Sequence, residues 1–136
     1  MADRVAVVTG ASSGIGEATA RALAAKGWRC VVVARREDRL KALAGEIGGE
    51  AEACDVGDRE AVEATAERIR GRHPAVGLLV NNAGMPARET FLEADLDLVE
   101  RVLAVNYLGG VWCTRALLPA LVRAQDAHVE IGRAHV

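Results

Sequence analysis

The residues able to do chemistry gather just after short apolar runs. Thr9-Gly10-Ala11-Ser12-Ser13-Gly14-Ile15-Gly16 follows the run Val5–Thr9 and spaces three glycines as G-x-x-x-G-x-G. Glycines there permit positive φ and let backbone approach a phosphate group closely. A helix opening inside the turn adds free N–H groups and the positive end of its dipole. That favours an anion by roughly 0.3–1 kcal/mol, and by more when the site is partly buried. Arg35 and Arg36 close a second apolar run. They are either a phosphate grip through paired, charge-assisted hydrogen bonds or the solvated start of a helix. Positive charge is mildly unfavourable at a helix start, which favours the ligand reading, although Glu37 and Asp38 lie beside them. Asn106 stands inside a long apolar segment, as a functional amide or as a buried group bonding helix backbone. Cys30, Cys54 and Cys113 are scattered, odd in number and without C-x-x-C spacing. They read as reduced, buried small hydrophobes, and no metal site is expected.

The elements that hold these residues alternate between two periodicities. Short apolar runs predict strands at Val5–Thr9, Arg29–Ala34, 50–54 and 77–81, and helical patterns fill 15–26, 38–47 and 59–72, the last capped by Asp58. Continuous apolar strands alternating with helices point to a parallel sheet covered on both faces. Residues 96–123 read as one long helix whose apolar residues cover more than one face, so it must be buried on several sides. There is no repeat, linker or low-complexity stretch, hence one domain.

Composition narrows the classes. At 136 residues with 51% hydrophobic and 26% charged side chains, the chain can bury a core and is no disordered tail. A net charge of −2 gives no electrostatic reason to bind nucleic acid or an anionic membrane, and 3% aromatics cannot furnish a base-stacking platform. No signal peptide and no membrane span are legible, so a cytoplasmic location is expected.

Four ordered motifs resemble the short-chain dehydrogenase/reductase family over residues 4 to about 129. The turn T-G-A-S-S-G-I-G resembles its nucleotide-binding turn, Asp55-Val56 its D-V pair, Asn81-Asn82-Ala83-Gly84 its N-N-A-G and Val105-Asn106-Tyr107-Leu108-Gly109 its V-N-x-x-G. The resemblance implies an α/β fold: a Rossmann-like, doubly wound parallel sheet in three α/β/α layers, with strands one to four and the start of strand five. It implies cofactor contacts at Gly10, Ser12, Ser13, Gly14, Ile15, Gly16, Asp55, Val56, Asn82, Ala83 and Gly84. Asp55 would bond the adenine amino group, and Asn106 would be one of four catalytic residues, opening its helix and holding a relay water. Strand two ends in Ala34, where an NAD-preferring fold usually has an acidic residue; Arg35 and Arg36 instead suit the 2′-phosphate of NADP, with NAD the alternative. The resemblance further implies hydride transfer to or from a small alcohol or carbonyl compound. The intact enzyme would pair its long helix with that of a second subunit, as a homodimer or homotetramer.

The rest of the family's machinery is missing from the sequence. Its general acid is a Tyr with a Lys four residues on, assisted by a Ser on strand five. The one tyrosine here, Tyr107, has Val111 at that spacing, and Lys26 and Lys41 lie far upstream. Losing a general acid or base forfeits about 10²–10⁴ in rate, so the 136 residues are expected to be inactive by themselves. Residues 1–129 are expected to be a partial dinucleotide-binding domain and 130–136 a non-native tail. Ile131-Gly132-Arg133-Ala134-His135-Val136 can be encoded ATC-GGA-AGA-GCA-CAC-GTC, the opening of a common sequencing-library adapter. Strand four is then expected to be an open sheet edge. A non-catalytic dinucleotide-binding or scaffolding module is the alternative reading. The nucleotide-sugar epimerase relatives, which usually show G-x-x-G-x-x-G, fit less well.

Overall fold

The computed structural model describes residues 4–12 and 14–132; the expectations for Ser13 and for residues 133–136 lie outside the described residues. Five strands, β1 (Val5–Thr9), β2 (Arg29–Ala34), β3 (Glu50–Ala53), β4 (Leu78–Asn81) and β5 (His128–Ile131), form one sheet in the order β3-β2-β1-β4-β5. Every pairing is parallel, with Val5 opposite Arg29, Ala6 opposite Leu78, Val31 opposite Glu50 and Leu78 opposite His128. This is the parallel, helix-covered sheet that the alternation of runs predicts, in the Rossmann-like, doubly wound order that the family resemblance implies.

Strand alternation sorts the core into two layers. Val5, Val7, Val31, Val33 and Leu79 face one way and meet Val62, Ala66 and Ile69 of α3 (Arg59–Arg72) and Cys113, Leu117 and Leu121 of α5 (Gly109–Leu121). Ala6, Val8, Cys30, Val32 and Val80 face the other way, against Ala20 of α1 (Gly14–Ala25) and Leu40 and Leu43 of α2 (Glu37–Ile47). The Asp58 carboxylate accepts the Ala61 amide as the expected cap of α3. All three cysteines are free and buried, and burial pushes the thiols up, Cys30 to about 11 and Cys113 to about 12.

Two expectations need correction. The long helix is not continuous: α4 (Leu96–Leu103) passes through a π-helical turn, Ala104–Leu108, into α5. One side of α5 packs on α3 and the sheet, while Leu96, Leu103, Tyr107, Val111, Leu118 and Val122 remain exposed. Strand four is no open edge, since β5 pairs with its whole length and carries the edge itself. That pairing reaches Ile131, two residues past the expected break at 129, and backbone hydrogen bonds form whatever the side chains are.

Candidate functional site

The cleft forms where the strand order reverses. β1 sends its chain to one side through β2 and β3, and to the other through β4, so the loops leaving the carboxyl ends of the strands diverge there. A cleft of about 450 Å³ opens at that point. Gly10, Ser12 and Ile15 come to it after β1, Arg35 and Arg36 after β2, Asp55 and Val56 after β3, and Asn82, Ala83 and Gly84 after β4.

The glycine turn has a steric reason for each residue that matters. Gly10 has φ +64°, and a Cβ on it would lie 2.8 Å from the Ala83 Cα. A Cβ on Gly16 would fall 2.1 Å from the Gly10 carbonyl oxygen and 2.6 Å from Asn82 Nδ2. The first turn of α1 is therefore pressed against the loop after β4. Thr9 ties the two together: its buried hydroxyl accepts the amides of Asn82 and Ala83, each at 3.0 Å, and Asn82 Nδ2 donates to the Gly10 carbonyl at 3.4 Å. Of the expected residues, Gly16 permits this close packing and Gly14 has a φ of +60° with open space where a Cβ would stand; neither lines the cleft.

The arginine side of the cleft is open and cationic. Ala34 ends β2 buried, then Arg35 and Arg36 stand exposed, and neither forms an ion pair among the described residues. Arg36 occupies the cap position of α2 without a side-chain cap bond. Cys54 forms part of the wall, its thiol held up by burial and so an inert apolar surface.

Asn106 lies in the π-helical turn but does not line this cleft. Its Oδ1 accepts the Met85 amide at 2.7 Å and its Nδ2 donates to the Met85 carbonyl at 3.0 Å, so both amide ends grip the loop after β4. Met85 is itself a cleft wall, and Asn106 acts on the cleft through it. Tyr107 beside it is exposed, and Lys41 pairs with Glu37 on α2, far from any acid–base partnership. Besides Met85, Thr9 and Arg101 are not marked as site residues by the sequence. Thr9 reads in the sequence as the last residue of a strand, and Arg101 sits in the second turn of α4 with nothing local to mark it. Arg101 lines the cleft and pairs with Asp55 at 2.9 Å.

The comparisons agree with this geometry. The family model for short chain dehydrogenases matches residues 4–130, and the chain belongs to that family. An uncharacterised oxidoreductase of Mycobacterium tuberculosis is 53% identical over 123 residues, covering 90% of this chain and 48% of the relative. An alcohol dehydrogenase from Thermococcus sibiricus, complexed with 5-hydroxy-NADP, superposes with a TM-score of 0.86 at 35% identity, covering 93% of this chain and 56% of that one. A metagenomic short-chain oxidoreductase in complex with NADP gives a TM-score of 0.86 at 38% identity, covering 93% and 60%. The chain spans about half the length of the curated relatives it matches. No helix among the described residues is long and apolar enough to cross a membrane.

Proposed function

We propose that the chain is the dinucleotide-binding half of an oxidoreductase that moves a hydride between NADP(H) and a small carbonyl or alcohol compound. The observation that carries this reading is the cleft itself. It joins a glycine turn at the start of α1 to two arginines at the end of β2, free of ion pairs among the described residues, at the sheet's switch point. The NADP complexes among the structural neighbours support the same cofactor for this chain.

On this reading Gly10, Ser12, Ser13 and Ile15 offer backbone and hydroxyl donors to the pyrophosphate, with Gly14 and Gly16 giving the turn its shape. Arg35 and Arg36 hold the 2′-phosphate, and Asp55, Val56, Asn82, Ala83 and Gly84 form the facing wall. The nicotinamide, when bound, accepts or donates the hydride. Asn106 keeps the loop at Met85 in register and is the chain's contribution to the catalytic set. With no Tyr-x-x-x-Lys in the 136 residues, binding rather than hydride transfer is the activity this half performs alone.

The test is calorimetric titration of the chain with NADP and NAD, before and after Arg35→Ala. Tighter binding of NADP is expected, with Arg35→Ala costing about tenfold on NADP and little on NAD, as befits loss of one charge-assisted phosphate contact. A preference for NAD in the unmutated chain would leave Arg35 and Arg36 as surface charge.

A further inference from the structure

One ion pair in the cleft serves neither the glycine turn nor the arginine end. Arg101 Nη2 donates to both oxygens of Asp55, each at 2.9 Å, and the Gly57 amide donates to Oδ1 at 2.9 Å. Both side chains line the cleft and are about one-third exposed, 32% for Arg101 and 35% for Asp55. The guanidinium has a seat: a Cβ on Gly57 would lie 2.5 Å from Arg101 Nη1 and push it away. α4 buries none of its residues, and among the described residues this is the side-chain hydrogen bond that joins α4 to the body. Pairs this exposed add little to stability, so fold stability alone does not account for its place in the cleft.

Donor accounting shows what the pair leaves available. A carboxylate offers about four acceptor positions and no donor. Oδ1 receives two N–H groups and Oδ2 one, so among the described residues a single acceptor position on Oδ2 stays open. Around it stand the apolar walls Val33, Ala34, Cys54, Val56 and Val105. An apolar slot edged by one acceptor suits a flat base bearing an amino group. A base with a carbonyl there would set lone pair against lone pair.

We propose that Arg101 is a positioning residue for base selectivity: by gripping Asp55 it keeps that last acceptor position turned toward the 6-amino group of adenine. The proposal rests on the dinucleotide reading above. Without Arg101 the carboxylate is held by the Gly57 amide alone and is free to turn out to water.

The experiment titrates the full chain with NADP and with its hypoxanthine analogue, which carries a 6-oxo group. The proteins are wild type, Arg101→Met, Arg101→Lys, Asp55→Asn and the Arg101→Met/Asp55→Asn double variant, each melted in parallel. Wild type is expected to favour the adenine form roughly tenfold, the scale of one hydrogen bond to a charged group. Arg101→Met should cut that ratio to about threefold or less, mainly by weakening the adenine form, with an unchanged melt; Arg101→Lys, which restores one donor, should recover part of it. In the Asp55→Asn background Arg101→Met should change nothing further, because the two act as one unit. A ratio that survives Arg101→Met, or equal weakening of both ligands, overturns the proposal and leaves Arg101 a surface strut. Failure of wild type to bind either dinucleotide overturns the dinucleotide reading itself, a distinct outcome.

Discussion

β2 and β5 are both parallel strands, β2 paired on both sides and β5 along its whole length with β4, yet they live in different environments. β2 is buried along all but its first residue, between α1 and α2 on one face and α3 on the other. β5 makes its whole ladder with β4 and is exposed at every position. Hydrogen bonding and burial are therefore separable, and only burial carries the large free energy. The cleft takes its walls from the end of β2, the loops after β1 to β4, Arg101 of α4 and Val105 of the π-helical turn, and none from β5.

The largest effect expected from this contrast comes from truncating one apolar residue on each flank. Leu79 in β4 is fully buried, and Leu79→Ala should cost about 2–5 kcal/mol by opening a cavity in the core. Val129 in β5 is 40% exposed, and Val129→Ala should change stability by only about 0.5 kcal/mol. Urea unfolding of the two variants measures both. Similar costs would mean that β5 is covered in solution and the contrast is wrong.

A smaller effect concerns what covers the uncovered flank. Leu96 and Leu103 of α4, Tyr107 of the π-helical turn and Val111, Leu118 and Val122 of the segment that follows expose apolar surface. We propose that a second copy of the chain packs there, since burying each large apolar side chain contributes about 1.5–3 kcal/mol. Sedimentation at micromolar concentration should show self-association, weakened at least about tenfold by Leu103→Glu, where burial would strand a charge. A monodisperse monomer of the unmutated chain would remove the second copy as occupant.

The covered flank is also the part that sequence alone describes well, and the reason is local. Val5–Thr9 and Arg29–Ala34 are β-branched runs that need no partner to be recognised, and Asp58 caps its helix three residues away. The glycine turn is equally local, although only the structure shows Gly16 abutting Gly10 and Asn82. Tertiary contacts hid the remainder. Arg101 meets Asp55 across 46 positions, and nothing near Arg101 marks it. Asn106 was recognisable, but its grip on Met85 and the π-helical turn around it depend on packing that helical periodicity cannot register. The apolar residues of 96–123 predicted burial on several sides, where periodicity cannot distinguish a covered face from one awaiting a partner.

The smallest effect lies at the end of the covered flank opposite the cleft, and pH exposes it. Glu50 opens β3 and accepts Arg29 Nε at 2.9 Å and Arg72 Nε at 2.8 Å, with His73 Nε2 also 2.8 Å away. Burial alone would push this carboxyl up, but the hydrogen bonds from His73, Arg29 and Arg72 together outweigh it and hold Glu50 below its ordinary 4.5. A carboxyl depressed in the folded state stabilises the fold above its unfolded value and loses that contribution as pH falls through the folded one. At pH 7, Glu50→Gln should therefore lower stability, by about 1 kcal/mol or less because the arginines remain partly exposed. On acidification from about pH 5 downward the gap between wild type and variant should shrink and close once wild-type Glu50 is itself protonated. Paired thermal melts between pH 7 and pH 3 measure the gap, and NADP affinity at pH 7 should not move because the cluster lies away from the cleft. A gap that stays constant down to pH 3 would assign the loss to packing of the Glu50 side chain rather than to its charge.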